Sequence, residues 1–241
     1  MSSKPPPPPP VIPARPPRSI GKVVAICLAV VISPVIVLFI VLSLFVSANG
    51  WKGFTQQSGS MEPSLVRGDW LLVDTTIYAR GQAARRGDII VFHKPSEGSP
   101  DQWETWLKRI VGLPGDQIKF AKGIPSINGV AAGQTYLRDH AMPGSSARKA
   151  VVLLERLPDG ASYEILKLRA DPRLDDAGPY VVPDGAYFVV GDNRDDSLDS
   201  RWASGNRAAG WSVPLSHIIG RVDYIYWSGT ERLDRVGRAV K

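Results

Sequence analysis

One apolar run dominates the pattern of the chain. From Val23 to Val46 no residue is charged, and as a helix the run is long enough to cross the ~30 Å hydrocarbon core of a bilayer. Pro34 falls inside it, a position that membrane helices tolerate when neighbouring groups satisfy the freed carbonyl. The pattern predicts one transmembrane helix over 20–47. The preceding residues 1–19 are polar and proline-rich, with Pro5 to Pro10 unbroken, and read as an extended, disordered tail. Trp51 and Phe54, just behind the run, suit an interfacial position.

After residue 48 the pattern changes. Short runs rich in β-branched and aromatic residues recur: Trp70-Leu71-Leu72-Val73, Ile89 to Phe92, Trp103 to Val111, Ala186 to Val190 and Ile218 to Trp227. They predict strands. Gly-Asp pairs at 68, 87, 115 and 191 abut apolar stretches and mark tight turns. Ile127-Asn128-Gly129-Val130 predicts a hairpin, Ala141 to Ala147 a loop, and Val151 to Leu168 one or two strands. The predicted fold is mainly β. A β-rich domain is formed by 48–116 and 181–230, and a smaller β subdomain is inserted at 117–180. A polar C-terminal tail follows at 231–241, with room for a short helix.

Composition changes this picture little. Of 241 residues 44% are hydrophobic and 22% charged, so the bulk is globular. The net charge of +6 points at first to an acidic partner. However, Lys4, Arg15, Arg18 and Lys22 precede the apolar run with no acid among them, and the remainder is nearly balanced. The basicity belongs to a membrane flank, and no basic patch with interleaved aromatics predicts a nucleic-acid partner. The positive-inside rule then places the N-terminus in the cytoplasm and residues from about 48 outside it. The run exceeds the 7–15 residues usual for a cleavable leader, although Ser47-Ala48-Asn49 offers small residues at its end. Cys27, the single cysteine, lies within the run, so neither an intramolecular disulfide nor a multi-cysteine metal site is available.

The candidate chemistry begins at Ser58-Gly59-Ser60-Met61-Glu62-Pro63-Ser64-Leu65. This stretch has neither helical nor alternating character, and Gly59 and Pro63 make it a stiffened loop presenting a hydroxyl. A serine needs a base. His93, His140 and His217 lie in contexts that are neither glycine-rich nor acid-paired, and fit a histidine triad poorly. No His-Glu-x-x-His run or comparable spacing predicts a metal. A lysine serves instead if burial keeps it neutral. Lowering its pKa from about 10.4 to about 8 takes roughly 3 kcal/mol. Lys108, between Trp106-Leu107 and Ile110-Val111, is placed for that.

Four stretches together resemble bacterial type I signal peptidases, the Ser/Lys endopeptidases that remove leader peptides from exported proteins. They are Ser58-Gly59-Ser60-Met61-x-Pro63; Arg86-Gly87-Asp88-Ile89-Ile90-Val91-Phe92; Lys108-Arg109-x-Val111-Gly112-Leu113-Pro114-Gly115-Asp116; and Gly191-Asp192-Asn193-Arg194-Asp195-x-Ser197-x-Asp199-Ser200-Arg201. They occur in the family's order and frame the chain from about 54 to 228.

The resemblance implies Ser60 as nucleophile and Lys108 as general base, with the Ser60 amide and Ser58 hydroxyl as oxyanion hole. It implies that Ser197 orients the lysine, that Asp199 and Arg201 brace the site as an ion pair, and that Gly191 and Asp192 shape a turn. It implies no cofactor and no metal. Its substrates are signal peptides ending in an Ala-x-Ala pattern, bound as an added strand before Ser60. Phe54, Gln56, Val91, Trp106 and Leu107 are the pocket candidates. The bilayer is the second partner, with the catalytic part on the extracytoplasmic side of the cytoplasmic membrane. Asp196 stands where the family usually has asparagine, adding a charge able to raise the lysine's pKa. The 202–212 segment is longer than usual. A dedicated pilin-type maturation peptidase and a non-catalytic membrane-anchored scaffold are the alternative readings.

Overall fold

The computed structural model describes residues 20–96, 99–141, 149–168, 174–202, 210–229 and 233–240. The predicted tail at 1–19, most of the predicted loop at 141–147 and the centre of the long 202–212 segment lie outside them. Two compact units are present, one ending at Val46 and one running from Ser47 to the C-terminus. The first is carried by a single helix, α1 (Ile20–Ala48), with Pro34 inside it. Its apolar side chains are exposed along most of its length. Among the described residues it is the one helix long and apolar enough to cross a membrane.

The second unit is built on a seven-stranded antiparallel sheet. Its strands are β1 (Trp51–Thr55), β2 (Asp69–Asp74), β3 (Ile89–Ser96), β4 (Ser99–Gly112), β12 (Ala186–Val190), β13 (Val213–Pro214) and β14 (Ile218–Ser228). Their order is β1-β2-β14-β3-β4-β12-β13. Side chains alternate across a strand, which explains why β3 and β12 are apolar at consecutive positions. In β3, Ile89 and Val91 join one core with Met61, Leu65, Leu71 and Val73, while Ile90 and Phe92 join another with Ile110 and Val189. In β12, Tyr187 and Val189 enter that second core, and Phe188 and Val190 enter a third. Each strand is therefore buried on both faces.

Residues 117–181 form two smaller sheets. One has the order β11-β5-β6-β7, from β5 (Gln117–Ala121), β6 (Ile124–Ile127), β7 (Val130–Ala131) and β11 (Ala177–Val181). The other has the order β10-β9-β8, from β8 (Gly133–Ala141), β9 (Lys149–Arg156) and β10 (Ser162–Leu168). Asn128 and Gly129, both at positive φ (52° and 83°), make the tight turn that their dipeptide predicts. The third core joins these sheets to the main one, with Ile118, Phe120 and Ile165 packed among Val111, Phe188 and Val190.

The C-terminal segment differs from the free tail expected of it. A 3-10 turn (Leu233–Arg235) is followed by residues that bond back to β14. Gly237 N–H donates to the Ile225 carbonyl at 2.8 Å and Val240 N–H to the Asp223 carbonyl at 2.8 Å. Arg235 is buried, and its guanidinium donates to the Asp69 carboxylate and to the Ser64 carbonyl at 2.9 Å.

Candidate active site

The connection from β1 to β2 carries Ser60. Its ends are tied by Gln56 N–H to the Asp69 carbonyl (2.8 Å) and Gly68 N–H to the Gln56 carbonyl (2.8 Å). Between them Met61 and Leu65 are fully buried in the core shared by β2 and β3. They lie one turn apart, with Leu65 N–H donating to the Met61 carbonyl at 2.9 Å. Burying two such side chains contributes about 1.5–3 kcal/mol each, enough to seat the loop. From the opposite side Asn193 grips it, its N–H on the Ser60 carbonyl and its Nδ2 on the Gly59 carbonyl, both at 3.1 Å. The loop is rigid because core, clamp and C-terminal Arg235 hold it at once.

Lys108 comes from β4, where it pairs with Ile90 of β3. Only 5% of it is exposed. Its Nζ lies 3.0 Å from Ser60 Oγ and 3.0 Å from the Leu107 carbonyl, and 5.3 Å from the centre of the Trp106 ring. Its hydrogen bonds thus go to a hydroxyl and a carbonyl. Burial pushes the amine down to about 8; the Asp199 and Asp192 carboxylates pull it up, and the Arg201 guanidinium opposes them. At pH 7 about one lysine in ten with that pKa is neutral. In the neutral form the lone pair of Nζ accepts the proton of Ser60 Oγ along the same 3.0 Å line.

Ser58 Oγ lies 3.1 Å from Ser60 Oγ. Gln56, nearly buried, donates from Nε2 to the Ser58 carbonyl at 2.7 Å. A glutamine is thus used inside an otherwise apolar wall to fix the backbone that presents Ser58. The cleft above the pair has a volume of about 740 Å3. Phe54, Gln56, Val91, Trp106 and Leu107 all line it, together with Ser58, Ser60 and Lys108. β1 is an edge strand of the sheet. β4 pairs with β12 only from Arg109 onward, so among the described residues no strand pairs with that edge of its Trp103 to Lys108 stretch.

The motif around Gly191 behaves less simply than its sequence implies. Asp199 and Arg201 form a fully buried ion pair, Nε to Oδ1 at 2.9 Å and Nη2 to Oδ2 at 2.8 Å, with the Gly191 N–H also on Asp199 at 3.0 Å. Burial alone would raise the Asp199 acid, but Arg201 and these donors hold it below the usual carboxylate range. Ser197 Oγ is enclosed and, among the described residues, has no partner at full hydrogen-bonding geometry, Lys108 included; its closest polar influence is on the Asp199 carboxylate. Its nearness to Asp199 is felt only as a minor help in keeping that acid ionised. The orienting bond expected between Ser197 and the lysine is therefore not made, and the Leu107 carbonyl holds the amine instead.

Gly191 is needed for close approach: a Cβ there would lie 2.1 Å from Ser197 Oγ and 2.6 Å from the Ser60 carbonyl oxygen. Asp196 is exposed and is not among the groups that shift Lys108; Asp199 and Asp192 play the part expected of it. His140 does have an acid near it, with Nε2 3.9 Å from Glu62. His93 and His217 pack against Trp103.

Two residues that position the site, Asn193 and Arg109, have no role in the sequence reading, and Asp192 has only that of shaping a turn. Arg109 and Asp192 form a buried bidentate pair with both bonds at 2.7 Å. Arg109 also lies 4.2 Å over the Tyr163 ring. β10 braces the same segment, with Leu166 N–H on the Asp192 carbonyl (2.8 Å) and Arg194 N–H on the Leu166 carbonyl (3.0 Å). Their place beside Lys108 and within the Gly191 motif was the available signal.

The sequence pattern that defines signal peptidases, peptidase S26, matches residues 26–227. The chain belongs to the signal peptidase family. Signal peptidase I of Bacillus caldolyticus is 34% identical over 187 residues, covering 77% of this chain and 82% of its own. Signal peptidase I of Rickettsia typhi is 30% identical over 202 residues, covering 73% and 71%. That of Pseudomonas aeruginosa is 30% identical over 211 residues, covering 81% and 70%. A crystal structure of a signal peptidase I from Enterococcus faecalis V583 covers 58% of this chain and 97% of its own at 23% identity. Its TM-score of 0.32 is too low to bear on the fold. As a signal peptidase family member the chain is a serine peptidase, and the matched region runs from α1 through β14.

Proposed function

We propose that this protein removes signal peptides from exported preproteins, with Ser60 as nucleophile and neutral Lys108 as its base. The observation that carries the reading is the 3.0 Å contact between Ser60 Oγ and a lysine amine that burial holds near 8. Ser60 Oγ attacks the scissile carbonyl carbon and its proton passes to Lys108 Nζ. The charge developing on the carbonyl oxygen is met by the Ser58 hydroxyl and the Ser60 N–H. The C–N bond then breaks, and the lysine returns the proton to the leaving amine. Water, deprotonated by the same lysine, attacks the acyl carbon; the bond from that carbon to Ser60 Oγ breaks, and the lysine gives its proton to Oγ. Ser197 acts by packing beside Asp199 and Gly191, and the Asp199–Arg201 pair braces that packing.

The substrate enters as an added strand between the free edges of β1 and β4. In an extended chain the −3 and −1 side chains share a face, and Phe54, Val91, Trp106 and Leu107 give that face a shallow apolar wall suited to alanine. Helix α1 anchors the protein, with its N-terminus in the cytoplasm and the catalytic unit outside, as the flanking charges favour. Exposed Trp70, Tyr226 and Trp227 suit contact with the bilayer interface. The 117–180 insert serves as a support for the catalytic strands.

The test is processing of an Ala-x-Ala precursor by the detergent-solubilised full chain. Wild type is expected to cut after the −1 alanine. Ser60→Ala and Lys108→Ala, folded by circular dichroism, should each lose at least about 10³-fold in kcat/KM, the scale of removing a nucleophile or its base. Comparable cleavage by Lys108→Ala would end the lysine-base mechanism.

A further inference from the structure

Two residues lining the cleft carry charge, Lys108 and Asp196. Lys108 acts in its neutral form and Asp196 is exposed, so in the active enzyme the charge that the cleft shows a substrate is that of Asp196. The backbone that carries Asp196 is tied to the site: its N–H donates to the Asn193 carbonyl at 3.2 Å, and Asn193 is the residue that grips Gly59 and Ser60. Glu62, two residues past the nucleophile, adds to the field. Burial raises its acid and Asp196 raises it further, while His140, Arg235 and Arg67 lower it, so the two carboxylates lie within electrostatic reach. Among the described residues, the basic groups that act on Glu62 have partners of their own. Arg235 is bonded to Asp69 and the Ser64 carbonyl, Arg67 to the Gln57 carbonyl at 2.7 Å, and His140 stands by Glu62.

We propose that Asp196 is a specificity-determining residue that favours lysine or arginine over glutamate or aspartate at the first two positions after the scissile bond. This rests on the Ser60–Lys108 assignment above. The apolar wall from β1, β3 and β4 takes the side chains before the cut. With −3 and −1 against that wall, −2 points away from it. In this pose the chain beyond the cut passes Ser60 toward the 196–198 segment, whose Asp196 and Leu198 line the cleft. An exposed carboxylate there acts with the strength of a surface ion pair, about two- to fivefold in rate, and salt weakens it.

The experiment uses the full chain in detergent and peptides with one Ala-x-Ala site. One peptide has neutral flanks; the others place Lys or Glu at +1, at +2 or at −2. The quantity read is the Lys/Glu ratio of kcat/KM within each enzyme variant, so a general loss of turnover cancels. In wild type the ratio at +1 or +2 should be about two- to fivefold, falling toward one in 0.5 M salt. It should fall to about one in Asp196→Asn and below one in Asp196→Lys, with the −2 ratio the same in all three. If Asp196→Lys does not fold, Asp196→Asn decides. A ratio unchanged by substitution, or a change confined to −2, overturns the inference. Wild type that cuts the neutral peptide but treats Lys and Glu alike overturns it alone. Wild type that cuts no peptide overturns the Ser60–Lys108 reading as well.

Discussion

In the proposed mechanism burial is what lets a lysine serve as the base, and its titration is the feature to measure. That mechanism needs the neutral form, so kcat/KM should rise with pH and reach half its plateau near pH 8. The same shift carries a stability consequence. The folded-state pKa lies below the unfolded value of about 10.4, so between those two pH values the unfolded chain holds more protons. Stability therefore rises with pH across that window. Below it the buried charge costs about 3 kcal/mol. Lys108→Met should be inactive yet more stable than wild type at pH 7, by up to about 3 kcal/mol in urea denaturation, the difference closing near pH 10.5. Gly191 sets the opposite limit. Gly191→Ala forces its new methyl against Ser197 and the Ser60 carbonyl. A displacement near 1 Å there is expected to lower kcat about 100-fold, with little change in the far-ultraviolet circular dichroism.

At the scale of elements, the nucleophile loop depends on a segment at the far end of the chain. Arg235→Met strips the guanidinium from Asp69 and leaves a buried carboxylate with Ser228 Oγ (2.7 Å) and the Val66 N–H (2.9 Å). Loss of one partner from a buried pair costs about 3–5 kcal/mol. Denaturant midpoints should show that drop, and Asp69→Asn in the same chain should restore part of it. This dependence was not legible in the sequence, where 231–241 looks like a solvated tail and charged residues read as exposed. Arg109, Asp192 and Arg194 were hidden for the same reason: each is buried by a partner remote in sequence. β12 and the first half of β3 are legible because burial on both faces makes them continuously apolar, and β4 and β14 through their β-branched and aromatic residues. β1 and β8 were missed because they are held by backbone pairing while most of their side chains face outward. The serine and lysine were legible through their motifs; the Leu107 carbonyl that replaces Ser197 as the lysine's second partner has no sequence signal.

At the scale of the molecule, the unit from Ser47 onward contains every core described and every group around Ser60. Removing residues 1–46 should leave a folded enzyme that cuts a soluble peptide within about twofold of the full chain. Against a precursor embedded in vesicles the same truncation should cost more than about tenfold, since the anchor raises the local concentration of enzyme at the surface. The wiring of the nucleophile loop also fixes when activity begins. Gly59 is held by a residue 134 positions later and Ser64 by one 171 positions later. At about 5–20 residues per second, a ribosome reaches Arg235 roughly 9–34 s after Ser64. Through that interval the growing chain carries its serine, and later its lysine, without the grip that aligns them. On the proposed mechanism the nucleophile loop gains its full set of ties only once Arg235 has been made.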